Sequence, residues 1–500
     1  MEVDELKTEY DKALAKIDSL SYELSRVNSV LDAMKKRLFS PKSEPYHHPG
    51  QGTLFNEAEA LTSDQKPNDE VEVKAHTKKK KCRKTISDSL PREDKVFEPD
   101  PKSLICGCGC EMSKIGEDVS EKIAVIPKKI TIHRNIRPKY ACKNCKSKVV
   151  QSPVEKALIP KSFASPSLLA HIITSKYVDG LPLYRQEPIW KRWGLNLSRA
   201  NMANWIIKVA KECLPLVNLI KEHCFSGNVV HVDETTVKVL KEVGKKPSSN
   251  SYAWVAVRND LHPCVYFEYH PNRTAKIAKE LLEGYEGYVV TDGYRAYDSA
   301  LANRSEMHCA CWDHCRREFY KAFESSKQDP NSLAAYALYY IQALYAVERN
   351  EKHASESRRL RARQLYSRAI VSHIFSWIDR NVDTVPKTSP VGKAFSYALN
   401  QKSKLARFVN DGAIPISNQA AENAIRPFVI GRKAWLFSDT TKGAEASMGL
   451  YSVVESAKKN GLEPFSYLMK IIEALPFCEK IEDYDTLLPW NIKNPSNYLN

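Results

Sequence analysis

The first 40 residues place apolar side chains with a period of 3.5. Counted as a heptad, position a holds Val3, Tyr10, Ile17, Leu24, Leu31 and Leu38, and position d holds Leu6, Ala13, Leu20, Val27 and Met34. One isolated helix cannot bury such a seam. The pattern therefore predicts a coiled-coil arm over 1–40 that pairs with a partner helix, most simply a second copy of the chain. The alternative is packing on its own chain. Pro41 closes the pattern, and 41–100, rich in Pro, Ser, Lys and Glu, reads as a flexible basic linker. Its KKKKCRK run, Lys78–Lys84, serves equally as a phosphate contact or a solvated charge cluster.

From Pro166 to His223 the period becomes helical, with Leu168, Leu169, Ile172 and Ile173 on one face. PLYRQEPIWKRW, a turn at Gly194, and RANMANWIIKVAKECL capped by Ser198 read as two short helices. Arg185, Lys191, Arg192 and Arg199 surround the turn, so the segment 160–225 resembles a helix-turn-helix, with Arg185 and Arg199 as candidate DNA contacts. Most such pairs are only packing units. Next come three strand-like runs, NVVHVDETTVKVL, SYAWVAVRND and CVYFEYHP, then a helical run, RTAKIAKELLEGYEG, and a short apolar strand, GYVVTDGYRAY. The predicted order is β-β-β-α-β. Residues 320–410 are helical and basic, with Arg358, Arg359, Arg361 and Arg363 close together, and are too long for a loop. GAEASMGLYSVVESAKKNG, stopped by Gly461, and EPFSYLMKIIEAL are predicted helices.

Composition narrows the class. Lys plus Arg is 75 against 60 for Asp plus Glu in 500 residues, a net charge of +15 that favours an anionic partner, nucleic acid first. The apolar share, 43%, suffices for a buried core. No long uncharged apolar run predicts a membrane span, and the acidic, polar N-terminus does not read as a secretory signal. Clustered thiols then read as metal ligands rather than disulfides. CGCGC supplies Cys106, Cys108 and Cys110, and CKNC supplies Cys142 and Cys145. Two thiol pairs on separate turns can hold a structural zinc ion. Which of the first three take part stays open, and free thiols are the alternative. The basic run KKITIHRNIRPKYAC between them is strand-like.

Asp233 stands in the middle of the first strand of the β-β-β-α-β series and Asp292 at the end of the fourth. That order is the order of the ribonuclease H-like fold, whose first and fourth strands are neighbours, so the two carboxylates are expected side by side. Carboxylates held close repel unless a cation lies between them, and a pair of Mg²⁺ ions is the expected solution. A single Asp is otherwise a turn or cap residue, but an unpaired charge is costly inside an apolar strand. A third carboxylate is expected on a downstream helix. In ISNQAAENAIRPFVIGRKAWLF, Ser417 or Asn418 caps a helix predicted to stop at Pro427, with Asn418, Glu422 and Arg426 on one face. Glu422 would complete the metal site and Arg426 would face a phosphate. Arg432, Lys433 and Trp435 add basic and aromatic groups that could grip DNA.

Several motifs in order carry a resemblance. They are LPRE at Leu90–Glu93, IGEDVSE at Ile115–Glu121, RPKYAC at Arg137–Cys142, LPLYRQE at Leu181–Glu187, HVDET at His231–Thr235, TDGYRAY at Thr291–Tyr297, CWDHCRREF at Cys311–Phe319 and AENAIRPFVIGRKAWLF at Ala421–Phe437. The chain resembles transposases of the insertion-sequence-66 family, of the Asp-Asp-Glu class, over almost its whole length. The resemblance implies an α+β multidomain protein: a leucine-zipper arm, a small zinc-binding domain over 101–152, a ribonuclease H-like catalytic domain over 226–440 with the helical insertion, and a helical C-terminal domain over 441–500. It also carries catalytic and Mg²⁺ (or Mn²⁺) binding roles onto Asp233, Asp292 and Glu422. Two departures stand out: CGCGC replaces the family's usual two-residue-gap pair, and Ser417 stands where an Asp is frequent. Cys311 and His314 form a Cys-x-x-His step similar to one in other transposases with helical insertions. It reads as a clasp or a contact near the active site, or as buried helix residues, and not as a zinc site.

The expected activity is that of a bacterial, cytoplasmic DNA transposase acting on the nucleoid. It would bind terminal inverted repeats, hydrolyse a strand at the element's end, and direct the freed 3′-OH onto target DNA. Self-association through the arm and accessory proteins of the same element are the expected protein partners. The rivals are an inactive or domesticated zinc-containing DNA-binding protein, and a metal-dependent nuclease that cuts without joining.

Overall fold

The computed structural model describes residues 130–141 and 149–492. The heptad arm, the Lys78–Lys84 run, and Cys106, Cys108, Cys110, Cys142 and Cys145 lie outside the described residues. Among the described residues of the strand-like run before Cys142, β1 (Lys139–Ala141) alone forms a strand, antiparallel to β2 (Val149–Gln151). Residues 130–138 are irregular and exposed.

Four helices follow: α1 (Pro166–Tyr177), α2 (Leu183–Arg192), α3 (Arg199–Glu212) and α4 (Leu214–Cys224). The Ser198 hydroxyl accepts the Asn201 N–H and fixes the start of α3, as its sequence predicts. Gly194, at φ +80°, makes the turn between α2 and α3, a conformation that L side chains rarely adopt.

The sheet is built from β3 (Val229–Lys241), β4 (Asn250–Arg258), β5 (Cys264–His270), β6 (Tyr288–Thr291) and β7 (His308–Ala310), with α5 (Ala275–Leu281) and α6 (Arg295–Ala300) on either side of β6 in sequence. Its order is β5-β4-β3-β6-β7, and β8 (Ser438–Thr440) pairs with the far end of β3 to make the sixth strand. β3, β4 and β5 are antiparallel neighbours, whereas β3, β6 and β7 run parallel. The β-β-β-α-β order and the pairing of first and fourth strands are as expected. β7, only three residues long, was not.

The stretch after β7 is helical: α7 (Trp312–Ser325), α8 (Leu333–Asn350), α9 (Glu356–Ala362), α10 (Arg368–Asn381), α11 (Pro390–Asn400) and α12 (Lys402–Ala406). Trp312, Phe319, Ile341, Ile374 and Phe395 form a core of their own that reaches Val290 on β6 and Ala310 on β7. Its arginine cluster is largely turned to structural work. Arg363 is fully buried, forks onto Glu348 at 2.8 and 2.6 Å, and donates to the carbonyls of Phe408, Asp411 and Ile414. Arg359 donates to Gly412 O and Arg358 pairs with Glu351.

The chain closes with α13 (Gln419–Trp435), α14 (Thr441–Lys459), α15 (Pro464–Ala474) and α16 (Ile481–Asp485). α13 does not stop at Pro427, as the sequence suggested, but runs on to Trp435. Pro427 removes one intrahelical N–H, yet the helix is held beyond it by burial of Phe428 and Gly431. α14 lies along β5, the sheet's outer strand. Ser456 and Ser452 accept the Val265 and Phe267 N–H groups at 3.0 and 2.8 Å and satisfy that open edge.

Candidate functional site

Parallel pairing delivers two carboxylates to one place. The β3–β6 register sets His231 opposite Val290, and two residues further along it Asp233 faces Asp292. Both carboxylates are half-buried, Asp233 within β3 just past its parallel pairing with β6 and Asp292 directly after the carboxyl end of β6, an edge at which α/β sheets bind ligands. Burial pushes the Asp233 carboxyl up to about 8; the Glu234, Asp292 and Glu422 charges act in the same direction, against one hydrogen bond from the Glu234 N–H. The carboxylate helix is therefore close enough for Glu422 to act on Asp233.

A tether explains that closeness. Asn418, at the start of α13, does not cap its own helix with its side chain. Its Nδ2 donates to Val232 O at 2.9 Å, which turns its Oδ1 toward His231 Nδ1 at 3.0 Å. Burial holds His231 down at about 4, so its ring is neutral, and Nδ1–H is the donor to Asn418. At the other end of α13, Arg432 donates to Thr235 Oγ1 and Thr236 Oγ1 at 3.1 and 2.9 Å, and to Thr236 O. The Glu422 helix is thus fastened at both ends to the Asp233 strand.

Glu422 itself is half-buried, with Arg317 3.8 Å from Oε2 and His314 Nδ1 3.6 Å from Oε1. Sequence reasoning missed Arg273. Its guanidinium pairs with Glu234, lies 3.9 Å from Asp292, and stacks on the Tyr294 ring at 3.6 Å. Glu234, whose side chain is 1% exposed, also accepts the Tyr297 hydroxyl. The signal was a charged pair, Asp233–Glu234, inside an apolar strand: the second acid needed a cation as well.

The proposed DNA contacts divide. Arg185 and Arg199 are exposed on α2 and at the start of α3, and Lys433 is exposed on α13. Arg426, one turn from Glu422, is half-buried and makes no hydrogen bond or ion pair among the described residues. Arg432 is taken up by β3, and the Trp435 ring packs edge-on against Phe428 at 5.7 Å.

Residues 161–446, more than half of the chain, match the family model described as Transposase IS66 family. The chain belongs to that family. Further matches are to the zinc-finger binding domain of transposase IS66 over 103–146, which spans all five candidate cysteines, to the IS66 C-terminal element over 452–490, and to Transposase C of IS166 homeodomain over 28–94. Similar proteins occur in Sinorhizobium fredii. Uncharacterized protein y4qI is 31% identical over 82% of this chain and 77% of its own length. Uncharacterized protein y4jD is 29% identical over 81% of each. For this IS66 family member, the zinc-finger match supports Zn²⁺ as a structural ion, and the transposase match implies DNA as partner. No helix among the described residues is long and apolar enough to cross a membrane.

Proposed function

We propose that this IS66 family protein is a DNA transposase whose Asp233, Asp292 and Glu422 carry Mg²⁺- or Mn²⁺-dependent strand cleavage and strand transfer on a ribonuclease H-like core. The observation that supports the reading is the β3–β6 register, which when continued sets Asp233 on β3 opposite Asp292, the residue after β6, with the Glu422 helix tied to β3. The donor set fits a hard divalent cation. It is made of carboxylate oxygens, the charges of Asp292 and Glu422 add to the raised proton affinity of Asp233, and Glu422 Oε1 is buried without a hydrogen bond. Such a cation, when bound, stabilises charge on a scissile phosphate and makes water more acidic.

The chain's own residues do the rest. Asn418 and His231 hold Glu422 to β3. Arg273 holds Glu234 and faces Asp292, which balances charge beside the carboxylate cluster. Arg426 and Lys433 neutralise backbone phosphates near the cleavage point, while Arg185 and Arg199 on the helix pair contact the terminal repeat. The cysteines among Cys106, Cys108, Cys110, Cys142 and Cys145 hold zinc in a separate domain, and the heptad arm pairs two chains so that two element ends meet.

The test is a strand-transfer assay. Full-length protein is mixed with labelled element-end DNA and a target plasmid, with Mg²⁺ or Mn²⁺, beside Asp233→Asn. Joining that needs the metal and is lost in the variant is expected. Cleavage without joining would make the protein a nuclease. Specific binding with neither, in the presence of the element's other proteins, would make it an inactive DNA-binding relative. Deletion of 1–40 should spare single-end binding and abolish paired-end complexes.

A further inference from the structure

The row that carries Asp233 and Asp292 continues onto a third parallel strand. β7 pairs Thr291 with Ala310, so the next position along it, opposite Asp292, is Cys311. Cys311 precedes α7, and His314 lies in the first turn of that helix. Cys311, His314 and Glu422 each bring one ligand atom within 4.8 Å of the others. Two of these residues carry unexplained atoms. His314 Nδ1 and Glu422 Oε1 are buried, make no hydrogen bond, and face each other at 3.6 Å. Buried polar atoms without partners are rare, and a missing ion is one standard cause.

The geometry points to a second cation site formed by Cys311, His314 and Glu422, selective for zinc over magnesium, that competes with the carboxylate cluster for Glu422. Sulfur, imidazole and carboxylate are zinc donors, and three protein ligands leave a fourth tetrahedral position for water. Magnesium prefers oxygen donors alone and has no use for the thiol. A thiophilic cation would displace the thiol proton to solvent on binding, whereas Mg²⁺ would leave the thiol intact. Glu422 belongs to both sets, so zinc on the Cys311 side would withdraw it from Asp233 and Asp292. Zinc binding stands independently of the transposase reading; only its effect on joining rests on that reading.

The experiment counts zinc on the full-length chain, equilibrated with zinc in excess Mg²⁺ and freed of loose metal. The wild type is compared with Cys142→Ser, which breaks the zinc finger, and with Cys311→Ser and His314→Gln. Cys311→Ser keeps an acceptor for the Asn418 N–H that the sulfur now receives at 3.1 Å. Wild type is expected to hold one more zinc ion than each variant, with affinity at the second site at least about tenfold weaker in His314→Gln, since even outer-shell losses cost 10–100-fold. Equal zinc in wild type and either folded Cys311 or His314 variant overturns the proposal. So does a Cys142→Ser chain that holds none, a result that needs neither of those variants to fold. Added zinc should also inhibit Mg²⁺-dependent joining by wild type more than by His314→Gln. A second zinc ion without any joining would remove the transposase reading and leave the site; joining without a second ion would do the reverse.

Discussion

Replacing Asp233 by Asn should stabilise the metal-free protein. The carboxyl is shifted from 3.8 to about 8, so the fold prefers the protonated acid. Its stabilising contribution is fully present below pH 3.8 and is lost as pH rises toward about 8. Each pH unit inside that window is worth about 1.4 kcal/mol, so at pH 7, where the folded carboxyl still keeps its proton and the unfolded one has lost it, at most about 4 kcal/mol of that stability is gone. Asp233 is only half-buried, and water at the site brings the expected figure down to about 2 kcal/mol. Asn is close in shape and cannot ionise. The assay is hydrogen exchange of peptides covering Val229–Lys241, in metal-depleted buffer at pH 5 and pH 7.5, corrected for intrinsic rates. Wild type should lose protection between the two pH values and Asp233→Asn should not. Added Mg²⁺ should restore protection to wild type and much less to the variant, because a ligand that binds only the native state stabilises it. A variant that exchanges faster than wild type at pH 7.5 without metal would refute the reasoning, since it would mean that the protein's own groups stabilise the charged carboxylate.

Three further outcomes follow from the geometry. Asn418→Ala leaves Val232 O and the His231 Nδ1–H unpaired; a loss of about 1–3 kcal/mol is expected by denaturant titration, with strand transfer falling more steeply than DNA binding. Arg363→Met strands the half-buried Glu348 charge and three carbonyls, so the inserted helices should lose about 3 kcal/mol, read as early protease cleavage between 333 and 410 while β3–β6 stay protected. Gly293→Ala puts a methyl group 2.7 Å from the Tyr397 ring, so either that ring or the loop after Asp292 must shift; where the loop moves, joining should drop at least about tenfold with little change in melting temperature.

The parts that could be read from sequence were those with one dominant local cause. Strands β3 to β6 announced themselves by apolar runs between turns, and an acid inside such a run marked Asp233. Ser198 and Gly461 behaved as their types suggest at helix ends. What escaped was decided by long-range contacts. β7 has three residues and forms only because Val289 to Thr291 offer a parallel edge. Pro427 was read as a stop, but tertiary burial of Phe428 outweighs one missing hydrogen bond. Arg432 and Trp435 looked like DNA-facing groups on a basic strip, yet β3 and Phe428 claim them. Arg363 looked like one charge among four and is the polar centre of the insertion. Ser417 or Asn418 was expected to cap the helix, and Asn418 instead binds another element. None of these contacts leaves a mark within a few residues of itself.

The serines on α14 also set a schedule for synthesis. The hydroxyls that close the β5 edge lie 191 and 185 residues after the groups they serve. A ribosome adding about 5–20 residues per second leaves that edge bare for roughly 10–40 s. During that interval the sheet can already collapse, yet its outermost strand offers unpaired amides to any neighbouring nascent chain. Polysomes that make many copies at once therefore run a risk of edge-to-edge clumping. Prematurely terminated products would stay in that sticky state permanently. Slow translation before the α14 codons, or an early-binding chaperone, would change yield without altering a single contact in the finished molecule.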